Sequence, residues 1–307
     1  MSEFPTLDEL AALLRYAGAA FGALLVIGLG LGKTRLAGPL GGVALAASLG
    51  WLWIDHNGGA LPPVPLLQES DRVLTSTERG LLAIFAAAIA ECLAAWLPAT
   101  ARWAPRLAVA AILCGWMLET PAAAWEGTDA AWWLFGLAGA LLLWQDLLGR
   151  VATARPGPDV LIVLSLAAGI LAQSCIGYGS AKLAETSGTL AMILGGSALL
   201  APWFGSVVLA PAFLAVAATG LFAVGLDAWF FGADPVIPWR ALALLGTAPL
   251  LLCVGRFRPL ATRQPALSRG LAVVLALAAL AGGFWIAADG IPEPAEDDPY
   301  ADLYKPR

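Results

Sequence analysis

Charge is what this sequence has little of. Asp, Glu, Lys and Arg make up 13% of its 307 residues, where a soluble domain carries about 25%, so an ordinary water-facing surface cannot be built from it. Histidine is nearly absent, and the single His56 cannot complete a histidine-rich metal site. The four cysteines, Cys92, Cys114, Cys175 and Cys253, lie in apolar runs without CxxC or Cys/His spacing. They read as small apolar helix residues, not as a zinc site. No GxSxG nucleophile motif occurs. The first residues, MSEFPTLDELAALLRY, are acidic where a cleavable signal peptide is basic. They read instead as an amphipathic lead-in, with Leu7, Leu10, Leu13 and Leu14 on one face.

What is abundant is apolar: 60% of residues are hydrophobic and the mean hydropathy is +0.79. Runs of about 20 apolar residues recur, the length that crosses a hydrocarbon core of about 30 Å. The expected fold class is all-α, a polytopic transmembrane bundle of ten helices, with eight or nine compatible with the same profile. The predicted spans are 14–32, 38–54, 80–98, 107–125, 130–149, 159–177, 187–203, 206–230, 238–255 and 269–288. Glu119 and Pro121 weaken the fourth, and the seventh is short and runs up to Pro202.

Loop charges alternate across that count. One set of connections holds Lys33, Arg35, Arg102, Arg106, Arg150, Arg155, Arg256, Arg258, Arg263 and Arg269, with no acid inside the loops. The other set and both termini hold the acids, with Arg72, Arg79 and Lys182 as basic exceptions beside them. Lys/Arg bias places the basic loops in the cytoplasm, so the expected topology is N-out and C-out. Tryptophans cluster near the proposed span ends, as in an interfacial belt, with only Trp116 clearly within a span.

Residues 1–288 are expected to form one membrane domain, with a possible division into five-span halves near 150–158. No residue-level similarity between the halves supports a duplication. Residues 289–307, DGIPEPAEDDPYADLYKPR, read as an acidic disordered tail that can offer a docking peptide. The pairs Gly18/Gly22 and Gly136/Ala140, with Gly195, Gly196, Gly282 and Gly283, are candidates for close helix packing. The run GLGLGKT, 28–34, imitates a phosphate-binding loop. Such a loop needs glycine at position 27, which is Ile27, and a preceding β-strand. It reads instead as the frayed end of the first span with Lys33 and Arg35 as a charge anchor.

Ionisable groups inside a membrane are costly and are functional candidates by default. Glu91 leads: counted from residue 80 it lies about 16 Å deep, as a coupling carboxyl, a substrate contact or a neutral acid bonded to a neighbouring helix. Glu119, across a short loop, is a candidate to share that interface, or sits near the surface of a shorter helix. Asp227 lies close to the acidic-side end, where a snorkelling role competes with a site. Gln173, Lys182 and Glu185 (the last two as an ion pair), His56 and Arg240 gather on the same side. Together they suggest a polar cavity reaching to Glu91, or ordinary interfacial dressing.

The motif LPPVPLLQESDRVL, 61–74, after two spans, resembles uncharacterised multi-spanning membrane proteins of planctomycete-type bacteria. That resemblance implies no activity and no site residues. In length and span number the chain is also similar to ten-helix drug/metabolite transporters, a resemblance that implies cytoplasmic termini, opposite to the charge pattern. The expected function is a small-molecule or lipid-related transporter of the bacterial cytoplasmic membrane. A non-catalytic scaffold or subunit is the alternative, and a membrane enzyme has the least support. Membrane lipids and a partner for the tail are the expected partners, with no nucleic acid and no cofactor.

Overall fold

The computed structural model describes residues 7–59, 74–119, 127–154, 157–231, 237–256 and 265–291. Most of the 61–74 motif, Pro121 and the tail beyond residue 291 lie outside them. Ten α-helices run through the described residues: α1 (Leu7–Leu31), α2 (Ala37–His56), α3 (Ser76–Ala94), α4 (Trp103–Met117), α5 (Gly127–Ala154), α6 (Asp159–Gly177), α7 (Ala181–Val208), α8 (Pro211–Phe230), α9 (Trp239–Leu251) and α10 (Pro265–Asp289). Seven of these are long and apolar enough to cross a bilayer, so the chain is a multi-pass helical membrane protein. The other three miss that standard for definite reasons. Helices α4 and α9 are short, with 15 and 13 residues, and α3 carries Glu78, Arg79 and Glu91.

Contacts between helices fix their alternating directions. At one end Tyr16 meets Asp55, His56 meets Glu185, and Thr77 meets Asp227. At the other end Arg106 meets Glu91, Gly28 abuts Phe204, and Gly149 abuts Pro211. The first is called the acidic end below and the second the basic end, after their loop charges. Trp96, Trp103 and Trp203 are exposed near the basic end, and Trp51, Trp132, Trp239 and Trp285 near the acidic end. Amphipathic rings take that arrangement at two headgroup levels.

Helix α8 is the axis of the bundle. Of its span 83% is buried, against 22% for the spans within α1 and α5, so α8 is apolar all round because protein surrounds it. Helix α2 packs on it through glycine: a Cβ on Gly42 would lie 2.7 Å from Val216 Cγ2, and one on Gly38 would overlap Ala210 Cβ. Lipid is as apolar as leucine, so close backbone approach supplies the attraction between such helices. Gly18, Gly22 and Gly136, expected in that role, have open space where a side chain would be. Gly195, Gly196, Gly282 and Gly283 do face neighbouring side chains.

Among the spans whose bounds differ from expectation, three bear on the polar residues and the packing around them. Helix α3 starts four residues early because Thr75 and Glu78 form a reciprocal cap, with Thr75 Oγ1 accepting from Glu78 N at 3.3 Å and Glu78 Oε2 from Thr75 N at 2.8 Å. Helix α4 ends at Met117, short of the predicted 125. Helix α7 begins at Ala181 and passes through Pro202, kinking at Phe204 (φ −124°, ψ 33°) instead of stopping. GLGLGKT closes α1 in a turn, where Thr34 Oγ1 donates to Leu31 O at 2.8 Å and Lys33 and Arg35 are exposed.

Candidate functional site

The shift of α3 relocates Glu91. Counted from Ser76 it lies about 22 Å along the helix and one turn from its basic end, not at mid-depth. Arg106, from the first turn of α4, folds across to meet it: Nε donates to Oε1 at 2.5 Å and Nη2 to Oε2 at 2.9 Å. Glu91 is 4% exposed and its partner's side chain 22%. The fork geometry satisfies both oxygens, so Glu91 locks α3 to α4 as one half of an ion pair. That corrects the reading of it as a neutral carboxyl.

Glu119 does not join it. Its carboxylate pairs at the opposite end of α3 with Arg79, at 2.9 Å, and Arg79 Nη1 also donates to Trp116 O. The two acids stand at opposite ends of one helical hairpin. Each holds an arginine, and no proton can be shared between them. Arg79 is nearly buried and is a residue that sequence reasoning passed over, because Glu78 beside it looked like its partner. Glu78 is engaged in the helix cap instead.

Four of the eight candidates do meet. His56, Lys182, Glu185 and Asp227 line a pocket between α2, α3, α7 and α8 at the acidic end. His56 Nδ1 lies 2.8 Å from Leu52 O, and Nε2 lies 2.6 Å from Glu185 Oε2. A carbonyl oxygen only accepts, so Nδ1 is the donor to Leu52, and the other edge of the ring ties α2 to α7 through Glu185. The expected Lys182–Glu185 pair gives way to this one, since Glu185 turns into the groove while Lys182 is exposed. Asp227 is buried and does not snorkel. It accepts from Thr77 Oγ1 at 3.0 Å and from Ser76, in the first turn of α3, where the positive end of a helix suits a carboxylate.

The pocket has a volume of about 50 Å³, room for a few waters and not for a substrate. Its deepest α3 side chain is Ile84, seven residues and about 10 Å short of Glu91. The polar cavity expected to reach Glu91 is therefore a shallow notch. Gln173 is exposed on α6, and Arg240 is exposed at the start of α9.

The larger cavity is apolar, and sequence reasoning did not find it. Between α5 and α9, floored by α6 and α8, lies a cleft of about 600 Å³, within the range of ligand sites. Helices α5 and α9 scarcely touch, and the gap is lined by Leu137, Leu143 and Leu147 on one side and Leu242, Gly246 and Leu250 on the other. Thr247 is the lone hydroxyl of its lining, and that group donates to Leu244 O at 3.1 Å. Trp133, Trp229 and Trp239 frame the mouth at the acidic end, the first two meeting edge to face at 5.6 Å. Trp144 Nε1 is buried without a partner among the described residues, and the rest of the lining is mainly hydrocarbon, which suits a largely apolar occupant. The run 238–255 reads as a full span in the sequence, and only the structure shows α9 to be short, with 13 residues.

Polar ties close the rest of the interior. Gln145 Nε2 donates to Thr219 Oγ1 at 3.0 Å, joining α5 to α8, and Tyr178 Oη donates to Ala287 O at 3.0 Å, joining α6 to α10. Compared with known proteins, the chain matches no family model, no curated protein and no solved structure.

Proposed function

We propose that this chain is a lipid-related transporter of a cell membrane, drawing a lipid-like molecule sideways from the bilayer into the cleft between α5 and α9. The observation that carries the reading is the cleft itself: a ligand-sized, largely apolar space framed at one end by tryptophans at headgroup level. The basic end faces the cytoplasm in this reading, and the tryptophan-framed mouth faces out. The shallow pocket around His56 and Asp227 is too small for cargo and holds four helices together.

Gly246 offers the test. A Cβ there meets nothing within 4 Å, so Gly246→Leu starts into open space, narrows the cleft between α5 and α9 and raises helix propensity. In proteoliposomes containing a fluorescent phospholipid, the wild type is expected to speed transfer of the label between leaflets. Gly246→Leu is expected to slow it at least tenfold at unchanged thermal stability. Transfer no faster than in protein-free vesicles sinks the transport reading.

A second reading, a non-catalytic scaffold, has its own support. The interior groups Glu91, Arg106, Gln145 Nε2 and Tyr178 Oη each tie one helix to another. Under that reading the cleft is filled passively, and Gly246→Leu leaves any assembly the chain joins intact.

A further inference from the structure

Resting on the lipid reading of the cleft, we propose that its occupant is an anionic phospholipid, with one acyl chain between α5 and α9 and the phosphate held by Arg240. The dimensions suit a chain. From Trp133 to Leu147 along α5 is about 21 Å and from Trp239 to Leu250 along α9 about 16 Å, so the side on α9 covers just over half, and that on α5 about two-thirds, of a hydrocarbon core of about 30 Å. The cleft therefore runs about the depth of one leaflet and stops, which is the reach of a single acyl chain.

Arg240 sets the headgroup. It stands one turn above Ala243 and two above Thr247, both of which line the cleft, so it crowns the same stripe of α9. Its guanidinium lies 5.9 Å from the centroid of the Trp239 ring at the mouth. The other arginines described at that end are engaged: Arg79 with Glu119 and Arg15 near Asp55. Arg240 makes no ion pair among the described residues. Asp129 stands with Trp132 and Gly136 in an adjoining recess that shares Trp133 and Leu137 with the cleft. A guanidinium fork matches a phosphate with two parallel N–H donors, and an indole ring beside it suits the glycerol level of a bilayer. The complement is a net negative charge at the mouth with hydrocarbon below it. The α9 stripe itself carries no carboxylate for the ammonium of a zwitterionic lipid, and Asp129 stands across the mouth on α5.

Native mass spectrometry of the full chain, released from nanodiscs of equal phosphatidylglycerol and phosphatidylcholine, tests this directly. The wild type is expected to retain phosphatidylglycerol over phosphatidylcholine by about tenfold, the scale of one charge-assisted hydrogen bond. Arg240→Gln is expected to keep bound lipid but lose the preference, Arg240→Lys to keep part of it, and Gly246→Leu to lose both lipids. Equal retention by the wild type, or a preference untouched by Arg240→Gln, overturns the headgroup assignment and leaves the lipid reading standing. Identical lipid retention by the wild type and Gly246→Leu overturns the lipid reading itself. A dimer peak without lipid in the wild type, converted to monomer by Gly246→Leu, shows a second copy in the cleft and overturns both.

Discussion

Arg106→Leu is expected to destabilise the folded bundle by about 3–5 kcal/mol, the cost of leaving a buried charge without its partner. Glu91 is 4% exposed and receives both of its close donors from that one guanidinium. Without Arg106 the carboxylate must take up a proton or drag water into the α3–α4 seam, and either disrupts packing. The reverse change, Glu91→Gln, is expected to cost less, about 1–3 kcal/mol. The amide oxygen still accepts one N–H, and Arg106, partly exposed and in the first turn of α4, can turn toward the interface. The double variant Glu91→Leu/Arg106→Leu is expected to recover most of the loss, since an apolar pair of similar volume replaces a buried ion pair at little net cost. Thermal unfolding of the four proteins in one detergent measures the cycle. An Arg106→Leu midpoint equal to that of the wild type would remove the ion pair from the account.

The same pair shows what the sequence disclosed and what it withheld. That the chain is a multi-pass helical membrane protein followed from the apolar runs, because hydrocarbon imposes the constraint on every residue of a span at once. Of the ten spans expected, seven of the ten described helices are long and apolar enough to cross. The depth of Glu91 did not follow, because it depends on where α3 begins. The cap at Thr75 and Glu78 was written in the sequence as Thr-Ser-Thr-Glu. Reading it would have moved the start to Ser76 and the carboxylate to within reach of Arg106. Asp227 was misjudged for a related reason. Its partners Ser76 and Thr77 lie 150 residues away in the chain, in that same first turn.

The cleft was illegible on other grounds. Its lining is mostly leucine, tryptophan, alanine and glycine, residues that face lipid or protein equally well. Only the spacing between α5 and α9 makes a cavity of them. Sequence periodicity reports which face of a helix is apolar, and here nearly every face is. Arg240 stood out as charged at a span end, but its place over the stripe of Ala243 and Thr247 needed the run of α9 to be known. His56 and Glu185 both drew notice; their pairing needed the α2–α7 contact.

Gly38→Leu and Gly42→Leu are each expected to lose about 1–3 kcal/mol by overpacking, while Gly18→Leu is expected to be neutral or stabilising. All three sit in apolar helices, and composition alone does not separate them. At Gly38 the new Cβ meets Ala210 Cβ, which moves only if the backbone of the α7–α8 turn moves with it. At Gly42 it meets Val216, whose branched side chain has little rotational freedom in a helix and is fully buried on α8. Helix α2 must then back away from the axis of the bundle, and the dispersion contacts along the seam fall off together. At Gly18 there is nothing within 4 Å, so a side chain there only replaces glycine's entropic cost, about 0.5–1 kcal/mol in a helix. Midpoints of thermal unfolding for the three variants separate the cases. Equal losses at Gly18 and Gly42 would mean that α2 and α8 are not the seam on which the bundle closes.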